Sequence, residues 1–243
     1  MATHLALALR GAGCTIRQVL SRSFDHAQTL ARRVDAQPLC QWQRLDEDAD
    51  VYLLAVNDDA LYDLALDLRL PNALVLHTSG STPASVLKPV SRRFGVVWSP
   101  QTFVRDLAMD YSRLPLCIEG SSPDVEADIE RLLAPVSTHI HHLDFEQRRR
   151  AHLASVFVSN FVNALNASAQ QLMADGGLDF DMLRPLAEQT LRKWDYGPLW
   201  PQQTGPAARR DEKTLALHRR QLLDQPALLD LYDRLTQLIQ DHV

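Results

Sequence analysis

Four short clusters in this 243-residue sequence could hold a ligand, and one helix carries a side chain able to move a proton. Ser21-Arg22-Ser23 sets a guanidinium between two hydroxyls, which suits a phosphate through charge-assisted hydrogen bonds, although a solvated turn has the same composition. Ala55-Val56-Asn57 and His77-Thr78-Ser79-Gly80 each follow an apolar run. Small residues there let a ligand approach backbone atoms, and Gly80 permits a tight turn. Asp58 serves equally well as a helix cap, and His77 as a hydrogen-bonded structural histidine. Gln101 and Thr102 can orient an amide or carbonyl, or cap the segment that follows them. Further on, His152, Ser155, Ser159, Asn163 and Asn166 recur at three- and four-residue spacing, with Asn160 one step off the strip. Such groups are costly when buried unpaired, so they line a cleft or bond across domains. His152 is the acid/base candidate because imidazole titrates near neutrality; a satisfied interdomain histidine is the alternative.

Alternating strands and helices must position these clusters. Helix-forming residues 2–10 stop at Gly11-Ala12-Gly13, and a β-rich run over 15–20 leads to a helix over 24–34 with apolar residues at three- and four-residue spacing. Strands follow at 50–56, 73–78, 95–98, 114–118 and 136–143, with helices at 58–68 and 123–134. Most strands are continuously apolar, which predicts an α/β domain with a mostly parallel sheet covered on both faces. After Leu143 the pattern becomes helical. One long helix runs from Asp144 to Gly176-Gly177, and others lie at 179–194, 211–223 and 226–241. The Pro- and Gly-rich loop 196–206 is too elaborate for a simple connector. Just beyond it, Arg209 is placed to hold a carboxylate or to pair with Asp211.

Composition narrows the classes. The chain has 25 basic and 30 acidic side chains and a net charge of −5, with no basic surplus for nucleic acid or an anionic membrane. No apolar run reaches the roughly 20 residues of a bilayer span, and the N-terminus lacks a secretory pattern, so a cytoplasmic protein is expected. Cys14, Cys40 and Cys117 form no CxxC pair and are expected to be buried strand cysteines. Of His139, His141 and His142, only the first two share a strand face, and no third metal ligand is evident.

Gly11-Ala12-Gly13 imitates the start of a GxGxxG turn. It follows a helix instead of a strand, however, and Ile16 occupies the third glycine position, so a helix-to-strand turn is expected. Nine other segments occur in an order that resembles a known family: Ala2-Thr3-His4-Leu5, Ser21-Arg22-Ser23, Ala55-Val56-Asn57-Asp58-Asp59-Ala60, His77-Thr78-Ser79-Gly80-Ser81, Pro100-Gln101-Thr102-Phe103, Glu146-Gln147-Arg148, His152-Leu153-Ala154, Asn160-Phe161-Val162-Asn163 and Gln203-Thr204-Gly205-Pro206-Ala207. The chain is similar to Rossmann-like proteins with a DUF2520 C-terminal domain. These are relatives of the F420-dependent NADP oxidoreductase and pyrroline-5-carboxylate reductase superfamily.

That resemblance implies a Rossmann-like domain over residues 1–143 and an all-α domain over 144–243, of the 6-phosphogluconate dehydrogenase C-terminal-like kind. It implies NADP held by Ser21, Arg22, Ser23, Ala55, Val56, Asn57, His77, Thr78, Ser79 and Gln101. It implies hydride exchange with a small carbonyl or imine at the cleft between the domains, with His152 as acid/base and Asn160, Asn163 and Thr204 orienting the substrate. In the family, the Ala-Thr-His-Leu segment comes directly after a glycine-rich turn. The first strand and phosphate loop are therefore expected to be missing here, which weakens dinucleotide binding. A degenerate, non-catalytic binding protein is the competing expectation. Ala151, Ala154, Val158, Val162 and Leu165 offer apolar surface beyond what a domain of about 100 residues covers, so a homodimer through the helical domain is expected.

Overall fold

The computed structural model describes residues 1–104 and 109–243. The chain forms two compact units, Met1–Asn160 and Phe161–Val243. The first contains α1 (Ala2–Gly11), β1 (Gln18–Leu20), α2 (Phe24–Val34), β2 (Gln37–Leu39), β3 (Val51–Leu54), α3 (Asp58–Asp67), β4 (Leu74–His77), β5 (Arg93–Trp98), β6 (Leu116–Gly120), α4 (Pro123–Leu133), β7 (Ile140–His142) and α5 (Phe145–Ser155). Strands β1 and β2 pair in parallel; a five-stranded sheet has the order β3-β4-β5-β6-β7 and is parallel except between β5 and β6. This is a Rossmann-like α/β fold followed by a helical domain. Strand β2 was not expected from the sequence, because Pro38 removes a ladder donor and the strand has only three residues.

The side-chain period of two divides the core. Leu74, Leu76, Val97, Leu116 and Ile118 point to the face covered by α1 and α4, where Val125, Ile129 and Leu133 recur every four residues. Tyr52 and Val75 point to the opposite face, against Leu61 and Ala65 of α3. On that face Val96, Trp98 and Cys117 pack with Ala84, and Ala151 of α5 lies against them. Fully burying such side chains stabilises the domain by roughly 1.5–3 kcal/mol each. Only Cys117 is a buried strand cysteine. Cys14 and Cys40 lie outside strands, half-buried and exposed, because the turns that carry them leave the sheet.

Local capping sets the element boundaries. Ser23, Asn57, Ser122 and Asp144 cap α2, α3, α4 and α5 through side-chain oxygens, and Gln147 completes a capping box with Asp144. Asn57, not Asp58, therefore caps α3. The Gly11-Ala12-Gly13 stretch is the C-terminal turn of α1, with Gly13 at φ 92° and its N–H bonded to the Arg10 carbonyl. The long helix expected from Asp144 is divided by a π-turn over Val156–Phe161, after which α6 (Val162–Asp175) continues to Gly176.

The second unit contains α6, α7 (Arg184–Arg192), α8 (Glu212–Gln221) and α9 (Pro226–Gln240). His218 bonds the Tyr232 hydroxyl at 2.8 Å and Arg219 donates to Asp233 at 2.7 Å, which ties α8 to α9. The loop before α8 is organised by Gln202, whose amide donates to the carbonyls of Lys193, Gly197 and Pro198. Among the described residues, no helix is long and apolar enough to cross a membrane.

Candidate functional site

Parallel pairing of β3, β4 and β5 brings their C-terminal ends, and so residues 55–57, 78–82 and 99–102, to one edge of the sheet. Open α/β sheets bind ligands at this edge. The loop after β4 is held from within. Ser79 donates through Oγ to Thr82 at 3.0 Å and accepts from the Ser81 and Thr82 N–H groups, while the Ser81 hydroxyl donates to Asp58. Burial alone would raise the Asp58 pKa, but hydrogen bonds from Ser81, Ser79 and Thr82 outweigh it and hold the carboxyl below its usual range.

His77 is fully buried, and its Nδ1 accepts the Ser79 N–H at 3.1 Å. Desolvation, reinforced by the positive charge of Arg148, lowers its pKa to about 4. The ring is buried and holds the loop through Nδ1, the structural role that the sequence offers beside a cofactor contact, while its Nε2 has no hydrogen-bond partner. Ser79 is likewise committed to the loop's internal bonds. Thr78 is half-buried, and of the β3 terminus Ala55 is half-buried while Val56 and Asn57 are exposed.

Arg148 is the most deeply buried charged side chain among the described residues of the unit, with 1% of it exposed. It pairs with Glu119 of β6 and donates to the Thr82 carbonyl at 2.8 Å, and so fastens α5 to the sheet and to the β4 loop together. One helical turn later stands His152. Its ring meets Trp98 edge-on, with centroids 5.7 Å apart at 81°. Both rings lie directly over Gly80, where a Cβ would come within 2.8 Å of Trp98 Nε1 and 2.9 Å of His152 Cγ. Close approach, and not a positive φ, is what requires glycine here.

A cleft of about 370 Å³ opens beside this pair, lined by Trp98 to Thr102 on one side and by His152, Ser155, Val156, Val158, Ser159 and Asn160 on the other. Thr102 and Ser159 bridge it with an Oγ1 to Oγ distance of 2.9 Å. Ser155 turns its hydroxyl back to the Ala151 carbonyl. The cleft thus brings together the expected His152, Asn160 and Gln101. Asn160, one step off the polar strip by simple spacing, lines the cleft beside Ser159 from within the π-turn, a feature frequent at functional sites. Asn163 and Thr204 belong to the second unit, where both are exposed, on α6 and in the turn before α8.

At the other end of the unit, Arg22 is exposed directly after β1 and makes no hydrogen bond or ion pair with any described residue; Ser23 accepts from the His26 N–H to cap α2. Sequence reasoning missed Arg148, Glu119, Trp98 and Ser99 as parts of this site. A lone acid in the apolar strand Leu116-Cys117-Ile118-Glu119 was the available signal, whereas Arg148 is masked by Arg149 and Arg150 beside it.

The profile of the family described as "Domain of unknown function (DUF2520)" matches residues 114–239, just over half of the chain. The chain belongs to the DUF2520 family. A Bacteroides fragilis protein provisionally named an NADP oxidoreductase is similar in structure, with a TM-score of 0.92 and 34% identity over 99% of this chain and 94% of its own. A reductive aminase from Aspergillus terreus, solved with NADPH and ethyl-5-oxohexanoate, has a TM-score of 0.71 at 17% identity, over 100% of this chain and 95% of its own. A 1-pyrroline-5-carboxylate reductase from Streptococcus pyogenes has a TM-score of 0.53 at 11% identity, over 99% and 96%. These last two share the fold. None of the curated proteins matches the sequence.

Stability should fall on acidification through His77. The native pKa of about 4 lies below the unfolded value of 6.5, so the unfolded chain takes up a proton that the native chain does not. The stability difference is fully present above pH 6.5 and is lost as pH drops towards 4, by up to about 3 kcal/mol. Urea denaturation of the wild type and His77→Gln at pH 7 and pH 4.5 should show the smaller pH dependence in the variant; equal slopes would refute the assignment.

Proposed function

We propose that this DUF2520 family member is an NADP-dependent oxidoreductase acting on a small carbonyl or imine in the cleft beside His152. The observation that carries this reading is an imidazole held against Trp98 and over Gly80 at the ligand-binding edge of a Rossmann-like sheet. The 34% identical Bacteroides fragilis relative, provisionally named an NADP oxidoreductase, supports it.

The residues present suit NADP at its 2′-phosphate. Arg22 stands uncommitted after β1, where an NAD site tends to place a carboxylate, and the N-terminus of α2 follows at once. NADPH, when bound, supplies hydride to the substrate carbon. His152 then gives a proton to the oxygen or nitrogen of the reduced C=O or C=N bond, so that hydride and proton together complete the two-electron reduction. Gln101, Thr102 and Asn160 orient the group, and the Trp98 ring closes one side against water. His152 is held in position from α5 and needs no rearrangement of the helix to reach the cleft.

In assays with NADPH and a panel of small ketones and imines, His152→Ala should lower kcat by about 100-fold and leave NADPH affinity unchanged. An unaltered rate would remove His152 from the chemistry, and no turnover of any substrate by the wild type would favour the non-catalytic binding protein. NADPH should bind more tightly than NADH in calorimetric titration. Arg22→Ala should remove most of that difference, about 1.5–3 kcal/mol for a charge-assisted bond; equal affinities in the wild type would contradict the site.

We further propose a homodimer through the helical unit. Met182, Leu186, Leu191, Trp194 and Tyr196 are 59–73% exposed, more large apolar surface than a monomer ordinarily leaves in water. Sedimentation should give twice the 27.4 kDa chain mass, and a concentration-independent monomer would refute the dimer.

A further inference from the structure

The walls of the cleft show a one-sided chemistry. They present the hydroxyls of Thr102, Ser155 and Ser159, the amides of Gln101 and Asn160, the rings of Trp98 and His152, and the aliphatic Pro100, Val156 and Val158. Among the described residues that line it, none is Asp, Glu, Lys or Arg. The guanidinium one turn away, Arg148, does not line the cleft; it is buried and paired with Glu119 and the Thr82 carbonyl, with its Nε left unpartnered.

One hydroxyl is left over. Ser99 is 3% exposed, and its Oγ is buried with no hydrogen-bond partner, although the residue lines the cleft. A buried hydroxyl without a partner is costly, and a ligand atom that accepts from it recovers that cost. Ser99, unlike Ser155 or the Thr102 and Ser159 pair, has no internal bond to break first.

We infer that the cleft selects an uncharged carbonyl compound, such as a neutral keto ester or the neutral imine derived from it, with Ser99 donating to its oxygen or nitrogen, and that it excludes carboxylates. The inference rests on the oxidoreductase reading only for the identity of the ligand as substrate. A carboxylate placed here would lose its water and gain only neutral donors, whereas a ketone or ester gives up little hydration and is held by the same donors.

Ethyl levulinate and levulinate make a matched pair that differs in charge, and their binding to the full chain can be measured without turnover by NMR titration, following the Trp98 indole N–H. Ethyl levulinate should bind at least about ten-fold more tightly than levulinate. Ser99→Ala should weaken the ester by about five-fold and leave levulinate unaffected. Asn160→Lys, a change at an exposed position of the cleft wall, should reverse the preference by supplying the missing cation. Levulinate binding as well as the ester in the wild type, no binding of the ester up to its solubility, or an unchanged preference in Asn160→Lys would overturn the inference. An NADPH titration on the same samples separates the two readings. Discrimination between the pair without NADPH binding would sink the reductase and keep the neutral site; NADPH binding without discrimination would do the reverse.

Discussion

The site depends on one buried cation. Arg148 sits inside the first unit with Glu119 as its counter-charge and the Thr82 carbonyl as a second acceptor, and these partners come from β6 and from the loop after β4. A guanidinium this deep is tolerated only when paired, and an ion pair of this kind adds little net stability over a well-packed apolar contact. What it contributes is position. It fixes the rotation and height of α5 against the sheet, so that residue 152, one turn further along the same face, falls over Gly80 and beside Trp98. The positive charge reaches other groups as well. It adds to the desolvation that keeps His77 neutral, and it opposes, without overcoming, the burial that pushes the Cys117 thiol up to about 11. A thiol held so far above neutrality is a packing group and not a nucleophile.

The reversal of direction between β5 and β6 makes this arrangement possible. Antiparallel register sets Val96 opposite Glu119 and Trp98 opposite Cys117, and all four face α5. Glu119 thereby stands under the helix while Trp98 stands at the edge where the parallel strands end. A one-residue slip of β6 in this register would carry Glu119 to the apolar side of the sheet, against Ile129 and Leu133, and would leave Arg148 without its counter-charge. The loop beyond Trp98 is fixed from below by His4 of α1, which bonds the Val104 carbonyl at 2.8 Å and the Tyr111 hydroxyl at 3.0 Å and lies against Phe103. Both walls of the cleft are thus tied to the core by buried polar side chains.

Much of this was legible in the sequence. The apolar strands, the caps Ser23 and Ser122, and the spacing of Ala27, Ala31 and Val34 on α2 follow from periodicity and turn chemistry that act over a few residues. The candidate status of His152, Asn160 and Gln101 was also visible, since polar groups in an apolar segment call for a reason. What was not legible depends on contacts far apart in the chain. Although Arg148 closes the family-like segment Glu146-Gln147-Arg148, its charge alone does not separate it from Arg149 and Arg150; its role is set by Glu119, 29 residues earlier, and by the Thr82 carbonyl. The strand-end position left His77 open to a ligand or a structural role in the sequence, and its burial follows from the loop that closes over it. Pro38 hid β2 because a short edge strand tolerates a residue that a central strand rejects. The π-turn at Val156–Phe161 has no local marker, and it alters which residues of the polar strip share the cleft wall.

Arg148 positions His152. Proton NMR tests it through the ring currents and cross-relaxation between the Trp98 indole and the His152 imidazole, compared in the wild type and in Arg148→Met. The Trp98 to His152 contact should be lost or strongly weakened in the variant while cross-strand contacts between Trp98 and Cys117 persist, so that the sheet survives and the helix has moved. An intact Trp98 to His152 contact in a folded Arg148→Met protein would contradict it.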